Sequence, residues 1–238
     1  MGRIDARLHL VPVWLGEAGG IEGMAPNVVE TIRHIRHFFV EHERTARRTL
    51  RRMDPEFDLD RVHLYRLDKD STEEDLDALL RIALEHGNTA ILSEAGMPAI
   101  ADPGARLVAR AHVAGVRVVP LAGPSSFPLA LAASGLNGQQ FCFHGYLPRD
   151  RHERRQALQR IEREMKRTGA TQMFMETPYR NRALLDELLR ALSPGTLLCV
   201  ALDLTQPGEQ IVTRTVAEWR SSQVELPEAP ALFLIGRT

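Results

Sequence analysis

The chain has 238 residues, a formal net charge of −1, 44% hydrophobic residues and 26% charged residues. That length and composition support a folded core in one large or two medium domains, and the charge balance excludes a wholesale electrostatic attraction to nucleic acid. No apolar stretch approaches the roughly 18 residues of a membrane span, and the N-terminus lacks a hydrophobic signal core, so a cytoplasmic protein with no membrane partner is expected. Cys142 and Cys199 both lie in apolar runs and read as buried core thiols, with neither metal-ligand spacing nor a disulfide framework, so no metal is expected.

In chain order, Arg7–Trp14 reads as a first strand. Gly16, Gly19, Gly20 and Gly23 follow, but without the Gly-x-Gly-x-x-Gly spacing or the downstream acid of a dinucleotide fingerprint. Asn27–Ile35 has helical periodicity, and Phe38–Glu41 is a short buried strand. The segment Glu43–Arg52 is the most basic in the chain. Wound as a helix, it places Arg44, Arg47, Arg48, Arg51 and Arg52 toward one side. Such a side is either a solvated face or a contact surface for the phosphates of RNA or another anionic substrate. Arg61–Leu67 is a third strand. Ser71-Thr72-Glu73-Glu74 is a helix start, and Gly87 a stop.

Two strand–loop–helix units then follow in series. Thr89–Leu92 and Val116–Leu121 have strand length and β-branched content. Each ends in small residues, Ser93-Glu94-Ala95-Gly96-Met97-Pro98 and Ala122-Gly123-Pro124-Ser125-Ser126. Asp102-Pro103-Gly104 reads as the capped start of a helix through Val113, and Pro124–Ser134 as the next helix. Parallel strands made this way present their carboxyl ends side by side, where open α/β sheets bind ligands. Five alternations predict a mostly parallel sheet with helices on both faces, spanning residues 1–136.

Beyond Asn137-Gly138 the pattern changes. Strands are expected at Phe141–Leu147, Thr171–Glu176, Leu197–Leu204, Gln210–Thr215 and Ala231–Ile235. Arg149–Arg167 and Pro178–Leu192 read as helices, and Val216–Arg220 as a short helix or turn. Strands without regular crossover helices imply a second α/β domain, residues 137–238, with a mixed sheet.

The order and spacing of several motifs carry further information. They are Ser93-Glu94-Ala95-Gly96-Met97-Pro98-Ala99-Ile100-Ala101-Asp102-Pro103-Gly104, then Val119-Pro120-Leu121-Ala122-Gly123-Pro124-Ser125-Ser126, then Phe143-His144-Gly145-Tyr146-Leu147-Pro148, and Glu176-Thr177-Pro178-Tyr179-Arg180. The series resembles the tetrapyrrole-methylase superfamily of S-adenosylmethionine-dependent methyltransferases. Within it, the chain looks most like the small-subunit ribosomal RNA (cytidine-2′-O)-methyltransferase branch, whose Glu-Asp-Thr-Arg element is similar to Glu41-His42-Glu43-Arg44-Thr45. The resemblance implies two α/β domains with the cofactor in the cleft between them, a homodimer, and a ribosomal RNA substrate.

By motif position, the resemblance implies cofactor contacts from Pro12, Ala95, Gly96, Met97, Ile100, Ser125, Ser126, Glu176, Ala201 and Leu204. A sulfonium cation with an adenosine needs close backbone approach, apolar walls and hydroxyl partners rather than a phosphate clamp, and these loops suit that. If the acceptor is a ribose hydroxyl, a base assists proton removal, and Glu94 is best placed by position. Glu41, Arg44, Arg47, Arg48, Asp102 and Arg180 are the candidate substrate contacts. The chain departs from the branch in Val11-Pro12-Val13-Trp14-Leu15-Gly16-Glu17, where the branch has Thr-Pro-Ile-Gly-Asn-Leu and an aspartate. It departs again in Glu94 and Met97, where the branch has Asp and Thr. These differences imply a kept cofactor site and an altered acceptor pocket. The alternatives are methylation of a tetrapyrrole or another small molecule, and a cofactor-binding module without catalysis.

Overall fold

The computed structural model describes residues 5–222 and 226–237. The chain divides between Ser125 and Ser126 into two compact units.

The first unit is built on β1 (Arg7–Val11), β2 (His37–Val40), β3 (His63–Arg66), β4 (Asn88–Leu92) and β5 (Arg117–Pro120). All are parallel, in the order β3-β2-β4-β1-β5. Adjacent residues on each strand point to opposite faces. Val11, Phe38 and Leu92 therefore join one cluster, and Leu10, Phe39 and Ile91 another. Helices α1 (Asn27–Arg33) and α2 (Glu43–Met53) cover the first cluster through Val28, Ile32, Leu50 and Met53. Helices α3 (Glu73–His86) and α4 (Ala105–Val113) cover the second through Leu76, Leu79, Leu107 and Ala111. Burial on both faces explains why the strands read as continuous apolar runs.

Local signals set the ends of α3. Thr72 and Asp75 form a reciprocal capping box, and Gly87 closes the helix at φ 73°. At α4 the expected cap is not there. Gly104, at φ 119°, occupies the capping position, and Asp102 turns away to meet Ser93. A local Asp-Pro-Gly signal has lost to a tertiary hydrogen bond.

The second unit begins with α5 (Ser126–Ser134). Its sheet, in the order β6-β7-β10-β8-β9, comprises β6 (Phe141–Tyr146), β7 (Thr171–Glu176), β8 (Leu197–Leu202), β9 (Gln210–Thr215) and β10 (Ala231–Gly236). Only the β6–β7 pair is parallel, so the sheet is mixed. Helices α6 (Arg151–Thr168), α7 (Asn181–Ala191) and α8 (Val216–Ser221) supply Leu158, Leu185 and Trp219 to its core. The unit starts before the boundary expected at residue 136 because α5 packs on β9 and β10. Thr213 donates to the Ser134 carbonyl at 2.7 Å, and Leu136 lies against Gly236. Cys199 is buried as expected, whereas Cys142 is exposed, since β6 is an edge strand. Among the described residues, no helix is long and apolar enough to cross a membrane.

One packing constraint of the first unit is sharp. A Cβ on Gly123 would lie 2.4 Å from Cγ and 2.6 Å from Cβ of Pro12, whose ring is held in the core. Gly123→Ala is expected to cost about 1–3 kcal/mol of stability by overpacking, measured by urea unfolding. Wild-type stability in that variant would show that the two loops separate freely.

Candidate active site at the carboxyl ends of the first sheet

β1 and β4 are hydrogen-bonded neighbours, yet the chain leaves them in opposite directions. From β1 it passes to α1 on one face, and from β4 to α4 on the other. That reversal opens a crevice at the carboxyl end of an open parallel sheet. Two backbone hydrogen bonds tie the diverging loops across it. The Val13 N–H donates to the Gly96 carbonyl and the Gly96 N–H to the Val13 carbonyl, each at 2.9 Å.

The loop after β4 is tightly wound. Gly96 (φ 69°), Ala99 (65°), Ala101 (56°) and Gly104 (119°) all occupy the left-handed region. Alanine there is strained, and such strain concentrates where backbone is shaped for a ligand. Gly96 is buried, and the space its missing Cβ leaves is taken by Leu15 and the Pro124 carbonyl. Gly123 is likewise filled by Pro12. Both glycines thus bring loops together rather than leaving room for a ligand beside their own Cα. Ala95 and Ile100 are exposed on this loop, Met97 and Ser125 are half-buried, and Pro12 is buried beneath.

Three carboxylates converge here. Glu41 follows β2, while Glu94 and Asp102 lie on the loop after β4. Burial, reinforced by Asp102 and Glu94, pushes the Glu41 carboxyl up to about 7. Burial also raises Asp102, against the pull of the Ser93 hydroxyl and with help from Glu94. The Ser93 Oγ lies 2.7 Å from both Asp102 Oδ2 and the Ala95 carbonyl. The hydroxyl shares its proton between these two acceptors and accepts from the Ala95 amide at 3.2 Å. Glu94 Oε1 stands 2.7 Å from His42 Nδ1, its one cationic or donor partner in the cluster.

Beside the carboxylates lies a cavity of about 370 Å³. Its walls are Trp14–Glu17 of the loop after β1, Glu94 and Ala95, and the α2 side chains Thr45, Arg48, Thr49 and Arg52. The α2 arginines sort into two groups. Arg47 is committed to Glu43 (Nε 3.0 Å, Nη2 2.9 Å) and to the Leu59 carbonyl. Arg52 donates to the Glu17 and Gly19 carbonyls, with its guanidinium 4.4 Å from the Trp14 ring centroid. Arg44 and Arg48 are exposed and have no carboxylate or carbonyl partner among the described residues.

The remaining expected site residues belong to the second unit. Ser126 opens α5 and is half-buried. Glu176, buried at the end of β7, accepts at Oε1 from the Thr177 amide (2.7 Å), the Thr177 hydroxyl (3.1 Å) and Arg180 (Nη2 2.5 Å, Nε 3.0 Å). Arg180 is therefore the counter-ion of Glu176, not an unpaired cation. Ala201 is buried in β8. Leu204 sits in the following turn, between Asp203 (φ 50°) and Thr205 (φ 66°). The non-glycine left-handed residues among the described positions are Ala99, Ala101, Asp203 and Thr205, two in the loop after β4 and two in the turn after β8.

The motif reading assigned no site role to His42, Trp14, Thr45 and Thr49, and it offered Arg52 as a phosphate contact where the structure turns it onto Trp14. The spacing of Thr45, Arg48, Thr49 and Arg52, at i, i+3, i+4 and i+7, is the signal that marks one helical face.

An α/β sheet with a chain reversal over a strained loop defines a ligand-binding α/β protein of the doubly wound kind. The family can be stated as well: residues 18–219 match the model of the Tetrapyrrole (Corrin/Porphyrin) Methylases, and the chain belongs to that family. It is 33% identical over 201 residues to a Ribosomal RNA small subunit methyltransferase I of Halalkalibacterium halodurans, covering 84% of this chain and 66% of that one. It is 36% identical over 157 residues to the protein of the same name from Escherichia coli O157:H7, covering 66% and 54%. The chain thus spans about half to two thirds of the length of these curated relatives. Its fold is similar to that of a uroporphyrin-III C-methyl transferase from Thermus thermophilus solved with S-adenyl homocysteine. The TM-score is 0.56 at 20% identity, covering 97% of both chains.

The Glu41 environment has a measurable consequence. Its carboxyl is held at about 7 in the fold against an ordinary 4.5. The protonated form is the one the fold prefers. Its stabilising contribution is full below about 4.5 and is lost as pH rises through 7. Glu41→Gln removes that dependence. Thermal unfolding should show the variant gaining on the wild type by several degrees between pH 4.5 and pH 8. A difference that does not change with pH would contradict the buried-carboxylate arrangement.

Proposed function

We propose that this chain is an S-adenosylmethionine-dependent methyltransferase that acts on ribosomal RNA at a ribose 2′-hydroxyl. The observation that carries the reading is the pairing, at one chain reversal, of a strained cofactor-type loop with carboxylates and two unpaired arginines. Membership of the methylase family and the names of the 33–36% identical relatives support it. S-adenosylmethionine, when bound, supplies a methyl group on a sulfonium. The exposed Ala95, the half-buried Met97 and Ser125, and the exposed Ile100 offer the backbone, apolar and hydroxyl surfaces that such a ligand needs.

The protein groups then divide the work. Arg44 and Arg48 hold RNA phosphates, a sequence-independent contact that sets register. Glu94 accepts the proton from the acceptor hydroxyl, with His42 Nδ1 fixing its orientation at 2.7 Å. Burial raises the Glu41 carboxyl, to about 7, and the Asp102 carboxyl, which lessens the negative charge that faces the phosphates. Alignment of donor and acceptor supplies much of the remaining acceleration. Cytoplasmic location and assembly as a homodimer belong to the same reading.

Labelled methyl groups from S-adenosylmethionine should be incorporated into small-subunit RNA isolated from cells lacking this protein, and nuclease mapping should place them on a ribose. Glu94→Gln should lower the rate about 10²-fold or more with cofactor binding within a few-fold of wild type. Incorporation into a tetrapyrrole pool but not RNA would favour the small-molecule reading. Cofactor binding with no turnover on either would favour a non-catalytic module.

A further inference from the structure

The cavity between the loop after β1 and α2 is not accounted for by phosphate contacts alone. Its volume, about 370 Å³, lies at the small end of ligand pockets and leaves no room for a base-paired stretch. Its lining residues include an indole, two hydroxyls, one unpaired guanidinium and the carboxylates Glu17 and Glu94.

The indole is preorganised. Arg52 lies 4.4 Å from the Trp14 ring centroid, and its guanidinium is anchored by two backbone carbonyls of the same loop. Gly19 packs against the base of the side chain, because a Cβ there would fall 2.6 Å from Trp14 Cβ and 3.2 Å from its Cγ. Thr49 is 5% exposed, and its hydroxyl has no hydrogen-bond partner among the described residues, although it lines the cavity. The hydroxyl is thus free to hydrogen-bond a polar group that enters the cavity. Thr45, one turn earlier, also has no side-chain hydrogen bond among the described residues and lines the same wall. Arg48 lies on this face between them.

We propose that this cavity receives one unstacked nucleotide of a single-stranded RNA segment, with its base against Trp14, its base edge read by Thr45 and Thr49, and its phosphate on Arg48. An aromatic ring, hydroxyls and a cation around a one-base cavity are the groups that single-stranded RNA recognition employs. Extrusion of the target nucleotide is the general solution when the reacting atom is otherwise shielded. Glu94 lines the same cavity, so a nucleotide seated here brings its ribose toward the proposed proton acceptor. The inference rests on the RNA reading above and specifies its acceptor subsite. It also explains why the loop after β1 departs from the related branch: that loop supplies Trp14.

The test uses the whole chain with a short single-stranded oligoribonucleotide. Trp219 is buried and donates to the Leu198 carbonyl, so the accessible tryptophan emission comes from Trp14. Saturating RNA should quench that emission. By anisotropy of labelled RNA, Trp14→Ala should weaken binding at least tenfold and Thr49→Val several-fold, with S-adenosylhomocysteine binding unchanged by calorimetry and the circular dichroism spectrum unchanged. Unquenched Trp14 with RNA bound, or wild-type RNA affinity in both variants, overturns the proposal. A wild type that binds no RNA overturns it together with the RNA reading. RNA that quenches Trp14 and depends on Thr49, yet never receives a methyl group, supports the pocket and overturns the methylation reading alone.

Discussion

The constraint on which the site depends is the pair of hydrogen bonds between Val13 and Gly96. β1 and β4 lie side by side, but their following loops lead to opposite faces of the sheet. Without a tie, two diverging loops would each be free to move and no fixed surface would exist between them. The tie requires Gly96 at φ 69°, a conformation that glycine adopts without the Cβ penalty. It also requires Leu15 and Pro124 to fill the space beside it. Loop strain at Ala99 and Ala101 is sustained because both ends of the loop are held, by this bridge and by α4.

From that fixed crevice the electrostatics follow. Burial, with the neighbouring carboxylates adding to it, raises two of the three. The third has a histidine partner. On the other side of the crevice, α2 keeps two arginines unpaired among the described residues and commits three others, Arg47, Arg51 and Arg52, to the architecture. The result is a surface with an arginine edge beside a cluster of carboxylates, two of them raised. That division suits an anionic polymer that must bring one hydroxyl to a base.

Much of the fold was legible because it depends on local or strictly periodic signals. Strands buried on both faces read as apolar runs, and the Thr72–Asp75 capping box and Gly87 stop are spelled out in adjacent residues. Arg47 was expected among the substrate contacts, but Glu43, one turn earlier, holds it in an ion pair. Other features depend on contacts that adjacent residues do not encode. Asp102 looks like a helix cap until Ser93 is brought to it from the end of β4. Cys142 sits in an apolar run, but its strand has a neighbour on one side only. The Glu41 environment needs two acids contributed from another strand's loop. The unit boundary depends on which sheet α5 packs against, which its composition does not say.

Hydrogen exchange of the whole chain, with and without ligands, measures the central claim most directly: that the reversal between β1 and β4 is where cofactor and RNA are held. S-adenosylhomocysteine should slow exchange at residues 95–101 and 122–125. A single-stranded oligoribonucleotide should slow it at residues 14–17 and 44–52. Protection confined to the opposite end of the sheet, around His37, His63 and His86, would contradict that placement.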